Sequence, residues 1–233
     1  MRVKPVVLNT SIAWLFMIGS ACFVLGSVPP YIDAVGGTID SVTYVVGSLF
    51  FTSAAFAQLV QSQSPAMTGV DEQGQHVKAR VRFWARLPHD RNWLAAVTQL
   101  PGTLLFNVST LAALVHNATV QQEDRRVWRP DFYGSTLFLI ASAFAILALG
   151  RFLSYQPRSL PWRIAWLNMV GSVFFMASAL ASYVLPGTGE MIDVPVAVGG
   201  TLLGAVCFLI GAALMLPAWT ASVAAALVTT QDP

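Results

Sequence analysis

Three amide side chains lie within long apolar segments of this 233-residue chain and are its best candidates for binding a ligand. Gln99, Asn107 and Asn168 can each donate and accept hydrogen bonds without carrying a charge. Polar side chains within a membrane usually face the interior of a helix bundle, so these three could form a polar pocket. The alternative, which the sequence favours, is that they only link neighbouring helices, through hydrogen bonds of about 0.6 kcal/mol each.

The residue types that carry out catalysis do not form a recognisable motif anywhere in the sequence. It contains no zinc-binding histidine pair on one helix face, no nucleophile elbow and no glycine-rich phosphate loop. Cys22 and Cys207 fall in the first and last apolar segments. They could form a redox pair if those segments were neighbours, but a buried free cysteine usually behaves as a small apolar residue. We therefore expect no enzymatic activity, no cofactor and no metal site.

The composition indicates that membrane-spanning helices position these side chains. Hydrophobic residues make up 55% of the chain and charged residues only 10%, whereas a soluble domain carries roughly 25% charged residues. Six apolar segments approach or exceed the roughly 20 residues that cross a hydrocarbon core. They lie near residues 10–31, 41–61, 93–115, 132–152, 163–185 and 195–217. This pattern predicts an all-α, polytopic membrane protein with six transmembrane helices.

The first apolar segment is interpreted as a retained span. Arg2 and Lys4 precede an apolar run, as they do in a signal peptide. The run continues to about Pro29, however, and lacks a clear cleavage site followed by polar sequence. We therefore expect a multi-pass protein of the bacterial cytoplasmic membrane.

Lysine and arginine are concentrated on one predicted side of the membrane. Ten of the 13 lie in the N-terminus, the 62–92 loop and the 153–162 connection with its flanks: Arg2, Lys4, Lys78, Arg80, Arg82, Arg86, Arg91, Arg151, Arg158 and Arg163. The other side carries three basic and seven acidic residues: Arg125, Arg126, Arg129, Asp33, Asp40, Glu123, Asp124, Asp131, Glu190 and Asp193. Because cytoplasmic loops are enriched in lysine and arginine, both termini are predicted to be cytoplasmic.

A nine-residue pattern recurs once in each apolar segment. It consists of glycine, a small residue, any two residues, phenylalanine, any two residues and two small residues. The six copies are GSACFVLGS, GSLFFTSAA, GTLLFNVST, GSTLFLIAS, GSVFFMASA and GAVCFLIGA. At about 100° per residue, the glycine, phenylalanine and small positions share one helix face. Small residues allow helices to approach closely in a membrane, so this face is predicted to pack against a neighbouring helix.

The predicted helix-packing residues are therefore the motif glycines and phenylalanines: Gly19, Phe23, Gly47, Phe51, Gly102, Phe106, Gly134, Phe138, Gly171, Phe175, Gly204 and Phe208. Since the motif occurs on helices that run in both directions, the unit is a helical hairpin used three times. We interpret residues 1–233 as a single transmembrane domain with a cytoplasmic basic loop at 62–92. Its three hairpin repeats, which we expect to form a bundle of approximate threefold character, cover about 10–61, 93–152 and 163–217.

The hairpin motif also suggests a family. Its core, read as Gly19-Ser20-Ala21-Cys22-Phe23 and Gly47-Ser48-Leu49-Phe50-Phe51, resembles the YrhK-like hairpin membrane proteins. The whole chain is similar to a group of six-span actinobacterial membrane proteins. This resemblance implies a membrane location. It implies no catalytic residues.

The segment VKARVRFWARL, residues 77–87, is the most informative stretch outside the spans. Lys78, Arg82 and Arg86 are spaced by four, which predicts a short interfacial helix with basic residues toward anionic lipid headgroups. Phe83 and Trp84 would insert between the lipids. The alternative is an ordinary basic cytoplasmic loop. Membrane lipid is the predicted partner in the first case.

The sequence is compatible with two functions. The first is a structural or accessory bundle that binds another membrane protein or lipid, because nothing else in the chain is chemically specialised. The alternative is a small-solute or ion transporter or channel with a polar pocket around Gln99, Asn107 and Asn168. A transporter should have a solvated cavity that reaches mid-membrane, whereas an accessory bundle should be dry inside. The formal net charge of +2 is too small to indicate nucleic-acid binding.

Overall fold

The structure is a computed structural model that describes residues 2–64, 79–115, 119–150, 152 and 155–229. Its helices are α1 Pro5–Gly26, α2 Pro29–Val35, α3 Gly37–Gln63, α4 Arg91–Leu114, α5 Val120–Glu123, α6 Arg129–Ala148, α7 Leu160–Ala181 and α8 Val194–Thr229. A π-helical turn, Asp124–Trp128, joins α5 to α6, and two short strands, β1 Arg2–Val3 and β2 Ala79–Arg80, pair antiparallel. Within the described chain, six helical spans are long and apolar enough to cross a membrane. The predicted all-α polytopic fold is confirmed.

The ends of the helices differ from the predicted spans by several residues. The first helix already begins at Pro5, where proline is tolerated because the first N–H groups of a helix have no intrahelical partner. It ends at Gly26, and Pro29 then begins the separate short helix α2. The last helix continues past Pro217, the predicted end, to Thr229. Proline therefore marks the beginning of helices here more than their end.

The six spans form a closed ring in chain order. The most extensive contacts join α1 to α3, α4 to α6 and α7 to α8, which are the two arms of each hairpin. Contacts between α3 and α4, α6 and α7, and α8 and α1 complete the ring. Consecutive spans are therefore antiparallel neighbours, and the ring has an interior that all six helices share.

The six motif phenylalanines meet in this interior and are 2–8% exposed. In one layer, Phe51, Phe138 and Phe208 have ring centroids 5.6–6.4 Å apart. In the second layer, Phe175 lies 6.1 Å from Phe23 and 5.8 Å from Phe106. Most of these contacts are edge-to-face or tilted, the geometry that aromatic rings prefer. We call these six side chains the phenylalanine core, and they close the centre of the bundle.

The motif glycines allow the two arms of each hairpin to approach closely. They face each other in pairs: Gly19 with Gly47, Gly102 with Gly134, and Gly171 with Gly204. A Cβ atom built on five of these six glycines would lie 3.0–3.2 Å from the carbonyl oxygen of the opposite glycine. Such distances leave little room for any side chain, so glycine is required for this packing.

Hydroxyl groups link neighbouring hairpins at two of the three interfaces between them. Ser48 lies 3.0 Å from Thr110 across α3 and α4, and Ser142 lies 2.9 Å from Ser172 across α6 and α7. On the third interface, between α8 and α1, the fully buried Ser20 has no hydrogen-bond partner for its Oγ atom among the described residues. At the first two interfaces, the hydrogen-bonded residues occupy the second and the ninth positions of the motif. At the third interface, Ser20 occupies the second position but makes no such bond among the described residues.

Candidate functional site

The two ends of the ring differ in charge. We call the end that holds the start of α1, residues 79–90 and the α6–α7 connection the basic end. The opposite end holds α2, α5 and the α7–α8 connection, and we call it the acidic end. Because the spans are antiparallel, α1, α4 and α7 run from the basic end to the acidic end.

A cavity of about 400 Å³ lies inside the ring in its basic half. All six spans contribute to its walls, and Phe208 of the phenylalanine core lies at its inner end. Cavities that bind small molecules have volumes of roughly 300–1,000 Å³. The cavity is therefore large enough for a small solute, and it extends from the basic end to the centre of the bundle.

The polar lining of this cavity consists mainly of amides. Five such residues from four helices contribute to it: Asn9, Gln58, Asn92, Gln99 and Asn168. Among the described residues that line the cavity, none carries a charge. The remaining walls are apolar. The site can therefore form several hydrogen bonds but offers no counter-charge to an ion.

Two of these amides have buried polar atoms without a partner in the described part of the chain. Asn9 is only 7% exposed, and its Nδ2 donor makes no hydrogen bond. The Oε1 acceptor of Gln58 is also buried and unpaired. Leaving such a group unsatisfied destabilises a protein by about 1–3 kcal/mol. Because a water molecule does not reach either atom, neither of them faces the cavity in this structure.

The structure brings together two of the three predicted pocket residues. Gln99 and Asn168 both line the cavity. The Oδ1 atom of Asn168 lies close to α8, because a Cβ atom on Gly211 would be only 3.0 Å away from it. The space beside this amide is thus created by the small residue on α8.

The prediction that Asn107 belongs to the same pocket is wrong, since it does not line the cavity. It is eight residues beyond Gln99 on α4, which places it about 12 Å further along the helix. The motif residue Phe106 lies next to it, at the level of the phenylalanine core. Asn107 therefore lies on a different level of the bundle, where its Oδ1 atom is buried and unpaired among the described residues.

Asn9, Gln58 and Asn92 are not among the predicted pocket residues, although their positions relative to the motif contain a signal. Asn9 and Asn92 both lie ten residues before the glycine of their motif, at Gly19 and Gly102. Gln58 lies eleven residues after Gly47. The residues at the same positions in the other helices, Pro161, Ala145 and Met215, line the cavity too. A comparison of all motif-aligned positions would have found this ring of lining residues.

The acidic half of the bundle is packed and hydrogen-bonded between the hairpin arms. The Ser27 and Tyr44 hydroxyls are 2.9 Å apart across α1 and α3, and those of Ser178 and Thr201 are 2.8 Å apart across α7 and α8. The indole N–H of Trp128 donates to a carbonyl of α7 at 2.8 Å. These contacts close the acidic end. The cavity, by contrast, lies in the basic half.

The predicted interfacial helix at 77–87 is wrong over its described part, residues 79–87. Ala79 and Arg80 form β2, and the chain that follows is not helical. The N–H of Arg82 donates to Ser64 Oγ at 3.1 Å, and that of Ala85 donates to Gln63 Oε1. These donors are therefore satisfied by side chains at the end of α3 instead of by a helix.

The predicted headgroup-binding side chains lie at the surface of this non-helical segment. Arg82 and Arg86 are exposed, and Trp84 is 91% exposed. Lys78 is outside the described residues. Lipid contact by these side chains stays a prediction, now for an extended segment at the basic end.

The two cysteines are free and point toward different helices. Although α1 and α8 are neighbours, the Cβ atom of Cys22 lies against Gly47 on α3. That of Cys207 lies against Gly171 on α7. Each cysteine thus packs as a small side chain against the other arm of its own hairpin.

Comparison with known proteins adds no relative. No family model, curated protein or solved structure matches the chain.

Proposed function

We propose that this integral membrane protein is a small-solute transporter that binds its solute in the cavity of the basic half. The observation that supports this most directly is an internal space of about 400 Å³ whose lining includes five amide residues from four helices. If the basic end is cytoplasmic, as the lysine and arginine distribution predicts, the cavity lies on the cytoplasmic side of the phenylalanine core.

The cavity favours transport over a purely structural role. An accessory bundle has no need of an internal space lined by amide residues from four helices. Apolar side chains also cover the outer surface of the helices, such as Leu104 and Val173. Lipid tails satisfy that surface as well as a protein partner would, so it does not favour the accessory role.

The hairpins are suited to move as units during such a cycle. Within each hairpin, the glycine pairs hold the two backbones in close contact. Between hairpins, the contact is less extensive, and least so between α6 and α7. Rocking of one hairpin against the others would move its two phenylalanines, one from each layer, away from the other four and open a path from the cavity to the acidic end. Transporters built from repeats commonly work in this way.

The experiment is a transport assay with the purified full-length chain in proteoliposomes. After an osmotic step in glycerol or urea, solute influx is followed as liposome swelling by stopped-flow light scattering. We expect faster swelling than in protein-free liposomes for at least one of these neutral solutes. The double variant Gln99→Leu with Asn168→Leu should abolish the excess rate, because it removes the two amides nearest the phenylalanine core.

The matched control is Asn107→Leu, which removes an amide from the same helix as Gln99 but outside the cavity. It should leave the excess rate unchanged. Equal loss in both variants would contradict the assignment of the cavity as the transport site. A second measurement addresses the accessory role: purification from native membranes with lipids retained. A stoichiometric protein partner together with no solute flux would overturn the transport proposal.

A further inference from the structure

The surface of the basic end carries exposed positive charge. Five of its lysine and arginine side chains are exposed: Lys4, Arg80, Arg82, Arg86 and Arg158. None of them forms an ion pair with another described residue. Among the residues that the structure describes at this end, Asp90 is the one acid, and its carboxylate accepts hydrogen bonds from two backbone N–H groups in the first turn of α4. The described surface therefore offers an anion several cations and little competition for them.

Two large aromatic side chains are exposed beside these cations. Phe83 is 57% and Trp84 is 91% exposed, and both lie between Arg82 and Arg86 in the chain. Tryptophan is enriched at membrane–water interfaces, where its ring contacts lipid while its N–H stays near the headgroups. Exposure of such apolar rings to water is unfavourable. The combination of basic and aromatic side chains is therefore suited to the surface of a bilayer.

The backbone of this segment is held against the end of α3. The N–H of Arg82 donates to Ser64 Oγ at 3.1 Å, and the N–H of Ala85 donates to Gln63 Oε1. Both acceptor residues are buried, with 8% and 5% of their surface exposed. Movement of the segment away from the bundle would break both hydrogen bonds. The exposed side chains are thus held at the level where α3 ends.

This level is that of the lipid headgroups. The motif glycines lie near the middle of their spans, since Gly102 is the twelfth of the 24 residues of α4 and Gly171 the twelfth of the 22 residues of α7. Gln63 lies 16 residues after Gly47 on α3, and thus about 24 Å from the level of the glycines. A bilayer with its headgroups is about 40–45 Å thick, so its surface lies about 20–22 Å from its centre. The end of α3 therefore places the segment at the bilayer surface.

We propose that residues 80–87 bind anionic phospholipid at the surface of the bilayer on the basic side. Arg82 and Arg86 would contact the phosphate groups, while the rings of Phe83 and Trp84 would insert among the lipids around them. A basic side chain near an anionic leaflet favours binding about fivefold. Two arginines together would therefore give a clear preference for anionic over zwitterionic lipid. This inference does not depend on the transport function, because the segment does not line the cavity.

The test measures the lipid preference at Trp84. The full-length protein is placed in vesicles of phosphatidylcholine and phosphatidylglycerol, in which one of the two lipids carries bromine on its acyl chains and quenches the fluorescence of tryptophans that it contacts. The signal of Trp84 is the difference between the natural chain and the Trp84→Phe variant. We expect both brominated lipids to quench this signal, with at least tenfold stronger association of phosphatidylglycerol at low salt. In 1 M salt the preference should decrease, because the Debye length falls to about 3 Å.

Variants that remove charge connect the preference to the arginines. The double variant Arg82→Gln with Arg86→Gln should lower the ratio of the two association constants at least fivefold, while quenching by phosphatidylcholine persists. The matched control is Arg125→Gln with Arg126→Gln, which removes the same charge from two exposed arginines at the acidic end. It should leave the ratio at Trp84 unchanged.

Three outcomes would overturn the inference. The first is a Trp84 signal that neither brominated lipid quenches, because the segment would then extend into water. The second is a ratio of about one in the natural chain. The third is an equal decrease in both double variants, which would assign the preference to net charge instead of to this segment. Solute flux enters none of these outcomes, so failure of the transport proposal would leave the lipid site in place, and failure of the lipid site would leave transport in place.

Discussion

Two adjacent glycines on α8 provide a direct test of how closely the helices pack. A Cβ atom on Gly200 would lie 2.8 Å from the carbonyl oxygen of Phe174 and 3.0 Å from the backbone nitrogen of Ser178, both on α7. A Cβ atom on Gly199 would have no neighbour within 4 Å. Substitution of each glycine by alanine therefore makes the same chemical change in opposite surroundings.

The magnitudes follow from two contributions. Alanine in the interior of a helix is more favourable than glycine by about 0.5–1 kcal/mol, and both variants gain this amount. Forcing an extra carbon into a packed interface destabilises by about 1–3 kcal/mol, and only Gly200→Ala suffers this loss. The atoms opposed to Gly200 belong mainly to backbone and cannot rotate away. The helix contribution cancels in the comparison, so Gly199→Ala should be the more stable variant by about 1–3 kcal/mol.

The assay is thermal unfolding of both variants and the natural chain in the same lipid nanodiscs, followed by circular dichroism. At about 2–4 °C per kcal/mol for a chain of this size, the two melting temperatures should differ by several degrees. Gly199→Ala should melt at or above the natural chain and Gly200→Ala below it. Equal melting temperatures for the two variants would refute the close approach of α7 and α8 at this level.

Three further changes test contacts elsewhere in the bundle by the same melting experiment. Ala212→Ser places a hydroxyl on α8 at the motif position that bonds between hairpins elsewhere, so it should stabilise by about 0.6 kcal/mol. This gain should vanish in a Ser20→Ala background, and persistence of the gain would show that Ser20 is not its partner. Trp128→Phe removes the donor to Ala179 O at 2.8 Å and should destabilise by about 1 kcal/mol. The Arg91 guanidinium donates to two carbonyls at the end of α6, so Arg91→Leu should destabilise by up to about 1 kcal/mol and Arg91→Lys by less.

The span pattern and the packing face could be read from the sequence because both have a strong periodic signal. Lipid requires about 20 apolar residues per span, and this requirement leaves little choice of secondary structure. The glycine and phenylalanine of each motif occupy one helix face by geometry alone. In the structure these faces meet in the ring interior, where Gly19 opposes Gly47 and the phenylalanines form two layers.

The cavity could not be read from the sequence in the same way. Its amides are far apart in the chain, and only the closure of the ring by α8 against α1 brings Asn9 into the same space as Asn168. The helix predicted for residues 77–87 was wrong over 79–87 for a related reason. A spacing of four residues fits a helix, but Ser64 and Gln63 compete for its backbone donors. The local periodicity of the segment contains no information about hydrogen bonds to residues so far away in the chain.

The position of the cavity follows from which residues occupy equivalent places in the three hairpins. Three residues before the motif glycine, the helices that begin at the basic end carry Phe16, Gln99 and Asn168. All three line the cavity, so one position supplies both an aromatic surface and two amides. A strictly symmetric bundle would present three identical side chains there and could not orient an asymmetric ligand. A binding site on the bundle axis therefore requires that the three hairpins carry different side chains at this level. The glycine and phenylalanine of the motif can stay the same in all three hairpins.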